Sequence, residues 1–182
     1  TLNGLTSVAI EAGNVTQITG TVAVSNTTYA AAGNSQINGL GNETVVISGE
    51  SSNTLSDAST LNTLDGYTTG TVNAGSLTTI KGDLSDLLTA YASNGITGLG
   101  NEAITLNDTN VSVTDLNTLD SYTSGLINAS SITDITGPIS ALTAAYSSQG
   151  INNLGTNIVV TDTTTSTSEI NLLDNLSSGL IN

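Results

Sequence analysis

Apolar residues return along this chain in two alternating rhythms. Leu84, Leu87, Leu88 and Tyr91 fall at i, i+3, i+4 and i+7, one helical stripe. Asp83 stands where an N-cap belongs, Asp86 lies in the first turn, and Asn94-Gly95 supplies the stop. The stripe recurs in Ile139, Leu142 and Tyr146 behind Gly137, with Pro138 at the first helical position, where a missing N–H costs nothing. Leu61, Leu64 and Tyr67, and again Leu116, Leu119 and Tyr122, predict two more helices. Between the stripes the rhythm changes. Val72, Leu77 and Ile80, then Ile96, Leu99, Ile104 and Leu106, are too sparse for helix and sit among Gly, Thr and Asn, which predicts short strands separated by turns.

These segments are copies of one another. Leu61-Asn62-Thr63-Leu64-Asp65 returns 55 positions on as Leu116-Asn117-Thr118-Leu119-Asp120, and after 54 more as Ile170-Asn171-Leu172-Leu173-Asp174. The period splits into two unlike halves, since Val72, Leu99, Ile127, Leu154 and Ile181 recur at steps of 27 or 28. A helix plus strands at that spacing predicts an α/β fold: an αβ-solenoid of about 27-residue coils, each a short helix with short parallel strands, paired into 55-residue repeats. The alternative, an all-β parallel helix, is opposed by the stripe from Leu84 to Tyr91. The expected organisation is one elongated unit over 1–182, with a divergent repeat at 1–53, repeats at 54–108 and 109–163, and a partial repeat at 164–182. In the divergent copy the interval from Ile18 to Leu40 is three residues longer than from Ile80 to Leu99, which places a bulge near Ala32 to Gln36. The chain starts without Met and stops midway through a repeat, so a longer parent protein is expected.

Charge narrows the partners. Fifteen acidic residues stand against the single Lys81, with no His, for a net charge of −14. Such a surface repels phosphates, which argues against nucleic acid and anionic membranes. No stretch of about 18 apolar residues occurs, so no membrane span is predicted. Leu, Ile and Val at regular places argue against disorder despite the charge. Cysteine is absent, which excludes disulfides and thiolate metal sites. A Cys-free, Lys-poor, Thr/Ser/Asn-rich composition predicts an extracellular setting.

The alternation of Leu-Asn-Thr-Leu-Asp, Thr-Thr-Gly-Thr-Val-Asn-Ala and Ala-Tyr-Ala-Ser-Asn-Gly-Ile-Thr-Gly-Leu-Gly-Asn-Glu-Ala resembles the long repeats of giant bacterial cell-surface proteins, such as the β-strand-repeat proteins of marine cyanobacteria. The likeness covers 54–182 well and the first 53 residues loosely. It implies a surface-layer, filament or adhesin role and carries over no catalytic residue.

Candidate chemistry is sparse. Without His or Cys, acid–base work would fall to paired carboxylates, and here the carboxylates recur with the repeat, whereas a catalytic site is normally unique in a chain. No enzyme is predicted, and the expected function is structural, a rod, filament or surface layer built by coil stacking. Its partner would be itself, end to end or side by side, or adjacent repeats of a longer chain. The alternative is a calcium-dependent adhesin stalk or binding module. Its candidate ligands are the repeat equivalents Asp65, Asp120 and Asp174, Asp108 and Asp162, and Glu43 and Glu102, because oxygen-only ligands in rows suit a hard cation. Neither the Gly-Gly-x-Gly-x-Asp nonapeptide nor an EF-hand loop is present. The competing reading has Asp83 and Asp115 serving helix N-termini and the other acids solvated. Asn73, Asn128 and Asn182, with Asn42 and Asn101, are expected to point inward and bond the next coil's backbone. The tyrosines Tyr67, Tyr91, Tyr122 and Tyr146 are expected to cover helix–sheet joints.

Overall fold

Strands and helices alternate through six units in the computed structural model, which describes residues 8–50, 56–155, 157–177 and 180–181. The first unit is β1 (Ile10–Glu11), β2 (Gln17–Gly20) and α1 (Val22–Gly33). The second is β3 (Ile37–Asn38), β4 (Thr44–Ile47), β5 (Ser56–Asp57) and α2 (Ala58–Asp65). The third is β6 (Val72–Asn73), β7 (Thr79–Gly82) and α3 (Leu84–Ala92), and the fourth β8 (Ile96–Thr97), β9 (Ala103–Leu106), β10 (Asn110–Ser112) and α4 (Val113–Tyr122). The fifth is β11 (Ile127–Asn128), β12 (Asp134–Gly137) and α5 (Ile139–Ser147). The sixth is β13 (Ile151–Asn152), β14 (Asn157–Val160) and α6 (Thr167–Leu176), followed by β15 (Leu180–Ile181).

Both kinds of element form as their side-chain periods require. In β4, β7 and β9 every second residue is buried, so Val45 and Ile47, Ile80 and Gly82, and Ile104 and Leu106 face inward. The helices bury positions three apart: Ala58, Leu61 and Leu64 in α2, Leu84, Leu87 and Ala90 in α3, Val113, Leu116 and Leu119 in α4, and Ile139, Leu142 and Ala145 in α5. Consecutive helices pack on one another from α1 to α6, and one apolar core runs from Val22 to Leu173 between them and the sheets. These helices exclude the all-β alternative. None is long and apolar enough to cross a membrane.

Every strand pairing is parallel. The sheets run β1-β3, β2-β4-β6-β8, β5-β7-β9-β11-β13 and β10-β12-β14-β15. Their register departs from the 27-residue step of the sequence. Ser56 lies opposite Ile80 and Ile80 opposite Ile104, both 24 residues on (80 − 56, 104 − 80). Ile104 lies opposite Ile127, 23 on, while only the first units keep 27, as between Val45 and Val72. The helices keep the longer spacing, with starts at Ala58, Leu84 and Val113.

The difference is taken up by an added strand. The first, third and fifth units place two strands before the helix, and the second and fourth place three. One 55-residue period is therefore one two-strand unit plus one three-strand unit, which is why its halves look unlike in sequence. Each sheet consequently drifts past the helix row. In the five-stranded sheet, β5 and β7 directly precede α2 and α3, whereas β11 and β13 directly follow α4 and α5.

The three extra residues of the first copy lengthen α1 to 12 residues, against 9 in α3, and close it through Ser35 at φ 57, within the expected span. Asn73 and Asn128 do not point inward: each carbonyl oxygen turns back to accept from a backbone N–H two residues on, Gly75 at 3.0 Å and Ser130 at 3.2 Å. Asn128 also accepts from Asn153. A short Asn side chain satisfies its own turn before it can reach a neighbouring strand. Asn42 and Asn101 are exposed, and Asn182 and the junction at 53/54 lie outside the described residues.

Candidate functional site

The Leu-Asn-Thr-Leu-Asp segment joins one unit to the next, and every position in it has a task. In α2, Leu61 and Leu64 are fully buried. Between them Thr63 donates to the Ser59 carbonyl of its own helix, and Asn62 donates to the Asp86 carbonyl of α3 at 2.9 Å. Asp65 accepts from the Ser93 hydroxyl at 2.7 Å, and that hydroxyl in turn accepts from the Gly95 N–H. The copy in α4 repeats each bond. Asn117 donates to the Ala141 carbonyl, Thr118 to the Thr114 carbonyl, and Asp120 accepts from Ser148 at 2.8 Å, which accepts from Gly150 N–H.

Gly95 and Gly150 are required by this contact. A Cβ on either would overlap the Oδ1 of Asp65 or Asp120. The carboxylate thus lies on the bare backbone of the next unit, and only glycine leaves it room.

A second group of acids caps helices from outside. The Leu84 N–H at the start of α3 donates to Asp108 at 2.7 Å, and the Ile139 N–H of α5 donates to Asp162 at 2.6 Å. Val22 N–H of α1 donates to Glu50 in the same way. Asp83 occupies the N-cap position of α3 yet makes no side-chain cap bond, and Ser112 before α4 makes none either. In α3 and α5 the cap is supplied instead by an acid 24 or 23 residues downstream, while in α1 Glu50 adds to the local cap that Thr21 gives to Val24 N–H. Asp115 stays in the first turn of α4, where its charge suits the helix dipole.

Glu43 and Glu102 are fully buried, each beneath a tyrosine pair. Tyr29 donates to Glu43 and Tyr91 to Glu102, both at 2.9 Å. The N–H of Gly41 bonds Glu43, and those of Gly100 and Asn101 bond Glu102 Oε2. Among the described residues, Glu102 Oε1 has no hydrogen-bond partner. Tyr67 stacks on Tyr29 at 5.6 Å and Tyr122 on Tyr91 at 6.4 Å. Tyr67 and Tyr122 are about two-fifths exposed, so they lie outermost and do not seal the joints as expected. Tyr91 and Tyr146 are part-buried at helix–sheet joints. The third copy has Thr156 in place of a glutamate, and Tyr146 donates to the Gly155 carbonyl.

These contacts set the ionisation of the pair. Burial raises the Glu43 carboxyl, but the backbone N–H groups around Gly41 and the Tyr29 hydroxyl outweigh it and hold the group below its ordinary value. Burial, the bond to Glu43 and its negative charge push Tyr29 up to about 12. Burial and the Glu102 charge raise Tyr91 as well.

Among the seven acids read as calcium candidates, Asp65, Asp120, Asp108, Asp162, Glu43 and Glu102 are thus each bonded to a neighbouring donor, and Asp174 is exposed on α6. They are dispersed along the seams, and among the described residues no group of three or more acidic side chains is placed to hold a metal ion. The cleft of about 430 Å³ beside the α3–α4 seam brings in two carboxylates, Asp108 and Asp115, and Asp108 is already the α3 cap. Sequence reasoning missed Glu50, Asn62, Asn117, Ser93 and Ser148. For Ser93 and Ser148 a signal was available in the Ser-x-Gly that follows α3 and α5, 28 residues beyond each aspartate. No family model, curated protein or solved structure matches the chain.

Proposed function

We propose that this chain is a structural segment of a secreted or cell-surface repeat protein, a solenoid whose stacked units form a rod, filament or layer. The observation that carries this reading is the repetition of one joint. Asn62 and Asp65 hold the following unit with the same bonds, at the same offsets of 24 and 28 residues, that Asn117 and Asp120 use one period later. Side chains that recur in register and end in hydrogen bonds between units serve elongation, because each unit buries the face its predecessor leaves open. The strong negative charge keeps the outer surface hydrated and disfavours nonspecific side-to-side association. An extracellular setting accords with the absence of Cys and the Thr/Ser/Asn-rich composition.

Small-angle scattering of chains with added 55-residue repeats tests the shape. Each strand layer adds about 4.8 Å, so each repeat should lengthen the particle by roughly 10 Å. A maximum dimension that stays constant while the radius of the cross-section grows would overturn the reading. Antibody labelling of intact source cells tests the location, and labelling only after lysis would refute it.

A further inference from the structure

The α6 end of the stack carries the side chains with which α2 and α4 hold a following unit. Ile170, Asn171, Leu173 and Asp174 stand where α4 has Leu116, Asn117, Leu119 and Asp120. Leu61 and Leu116 are 0% exposed, yet Ile170 at the same position is 40% exposed. Asn171 and Asp174 are also exposed, and among the described residues neither side chain makes a hydrogen bond. Leu173 is fully buried, as Leu64 and Leu119 are, and α6 lies on α5, but Leu173 is the one position of the stripe that α6 buries, against three in α2 and in α4. Ile170, Asn171 and Asp174 are thus uncovered at positions where α2 and α4 are covered by the unit that follows them.

We propose that the α6 end is a docking surface for one further unit of the α3 or α5 kind, a parallel strand and helix unit whose helix closes in Ser-x-Gly. This rests on the stacking reading above. Three features specify the occupant. A helix carbonyl must meet Asn171, as the Asp86 and Ala141 carbonyls meet Asn62 and Asn117. A serine hydroxyl must donate to Asp174, as Ser93 and Ser148 do to its equivalents. A glycine must follow two residues later, since a Cβ there would occupy the place of the carboxylate.

The first unit of a second copy does not satisfy these conditions. Ile37 opens the strand after α1 as Ile96 does after α3 and Ile151 after α5. Counting back from it puts Asn34 and Gln36 where Ser93 and Gly95 stand. Gln36 would place a side chain on Asp174, so the geometry selects a Ser-x-Gly unit over end-to-end joining through α1.

The test appends a copy of residues 129–163 after Asn182 and compares melting midpoints. Docking should raise the midpoint by roughly 4 °C or more. In the extended chain Asp174→Ala should lower it by roughly 2–4 °C, matching Asp120→Ala, and Gly150→Gln in the appended copy should abolish the gain. In the 182-residue chain Asp174→Ala should leave the midpoint unchanged. If Asp120→Ala is costly in the extended chain but Asp174→Ala is not, the docking proposal fails and the stacking reading survives. If neither costs anything, the stacking reading itself fails. Sedimentation of the 182-residue chain should give a monomer, and a dimer dissolved by Asp174→Ala would overturn the exclusion of α1.

Discussion

Replacing Asp108 and Asp83 separately asks which acid caps α3. Asp83 is adjacent to the helix and makes no cap bond, while Asp108, 24 residues later, accepts from Leu84 N–H at 2.7 Å. A side-chain cap contributes about 0.5–2 kcal/mol, and a bond to a charged acceptor lies in the upper part of that range. Leu84 is 6% exposed, so its N–H is poorly placed to recruit water once the carboxylate is gone. Asp108→Ala should therefore cost about 1–2 kcal/mol, or roughly 2–8 °C in melting midpoint for a chain of this size. Asp83→Ala should cost no more than about 0.5 kcal/mol, its charge at the helix dipole being screened by salt. Asp108→Asn keeps an acceptor oxygen and should recover part of the loss. Urea melts of the four proteins at low and high salt provide the measurement. An Asp83→Ala cost equal to or above that of Asp108→Ala would refute the assignment of the cap to the next unit.

Further outcomes follow from the same joints. Gly95→Ala should destabilise by about 1–3 kcal/mol through overlap with Asp65, and adding Asp65→Ala should relieve most of it; strictly additive costs in a double-mutant cycle would contradict the close approach. Leu61→Ala should cost about 3–5 kcal/mol and Ile170→Ala, at the equivalent position, under about 1 kcal/mol by chemical denaturation, since one is covered by a following unit and the other is not. Tyr29 holds its proton up to about 12 in the fold and loses it near 10 when unfolded, so its contribution is complete below pH 10 and is lost between 10 and 12. Tyr29→Phe should blunt that alkaline decline, and an unchanged profile would count against the buried pair. Glu43 is held below its ordinary value, so its contribution is present above about pH 4.5 and disappears as the pH falls further, which Glu43→Gln should flatten. Millimolar calcium should leave the melting midpoint where it is, because the candidate carboxylates are bonded singly along the seams; a rise of several degrees would restore the calcium reading.

Sequence alone determined the period, the helices and much of the core. Leu84, Leu87, Leu61, Leu64, Leu116 and Leu119 were legible because a helical stripe is a local pattern, set by neighbours three and four residues away. The parallel strands were legible as sparse apolar residues between turns. Tertiary structure alone decided how the units meet. The step of about 27 residues was read from recurring motifs, but strands pair by backbone register, and that register is 24 or 23 over most of the chain, with a third strand in alternate units absorbing the surplus. The same shift in register decides which acid meets which helix. Asp83 and Asp108 are chemically alike, and the stack brings the carboxylate of the distant one to the Leu84 N–H. Local propensity names the residues able to cap, bond or pack, whereas stacking fixes which of them come within hydrogen-bonding distance, and that choice depends on residues 23 to 28 positions away.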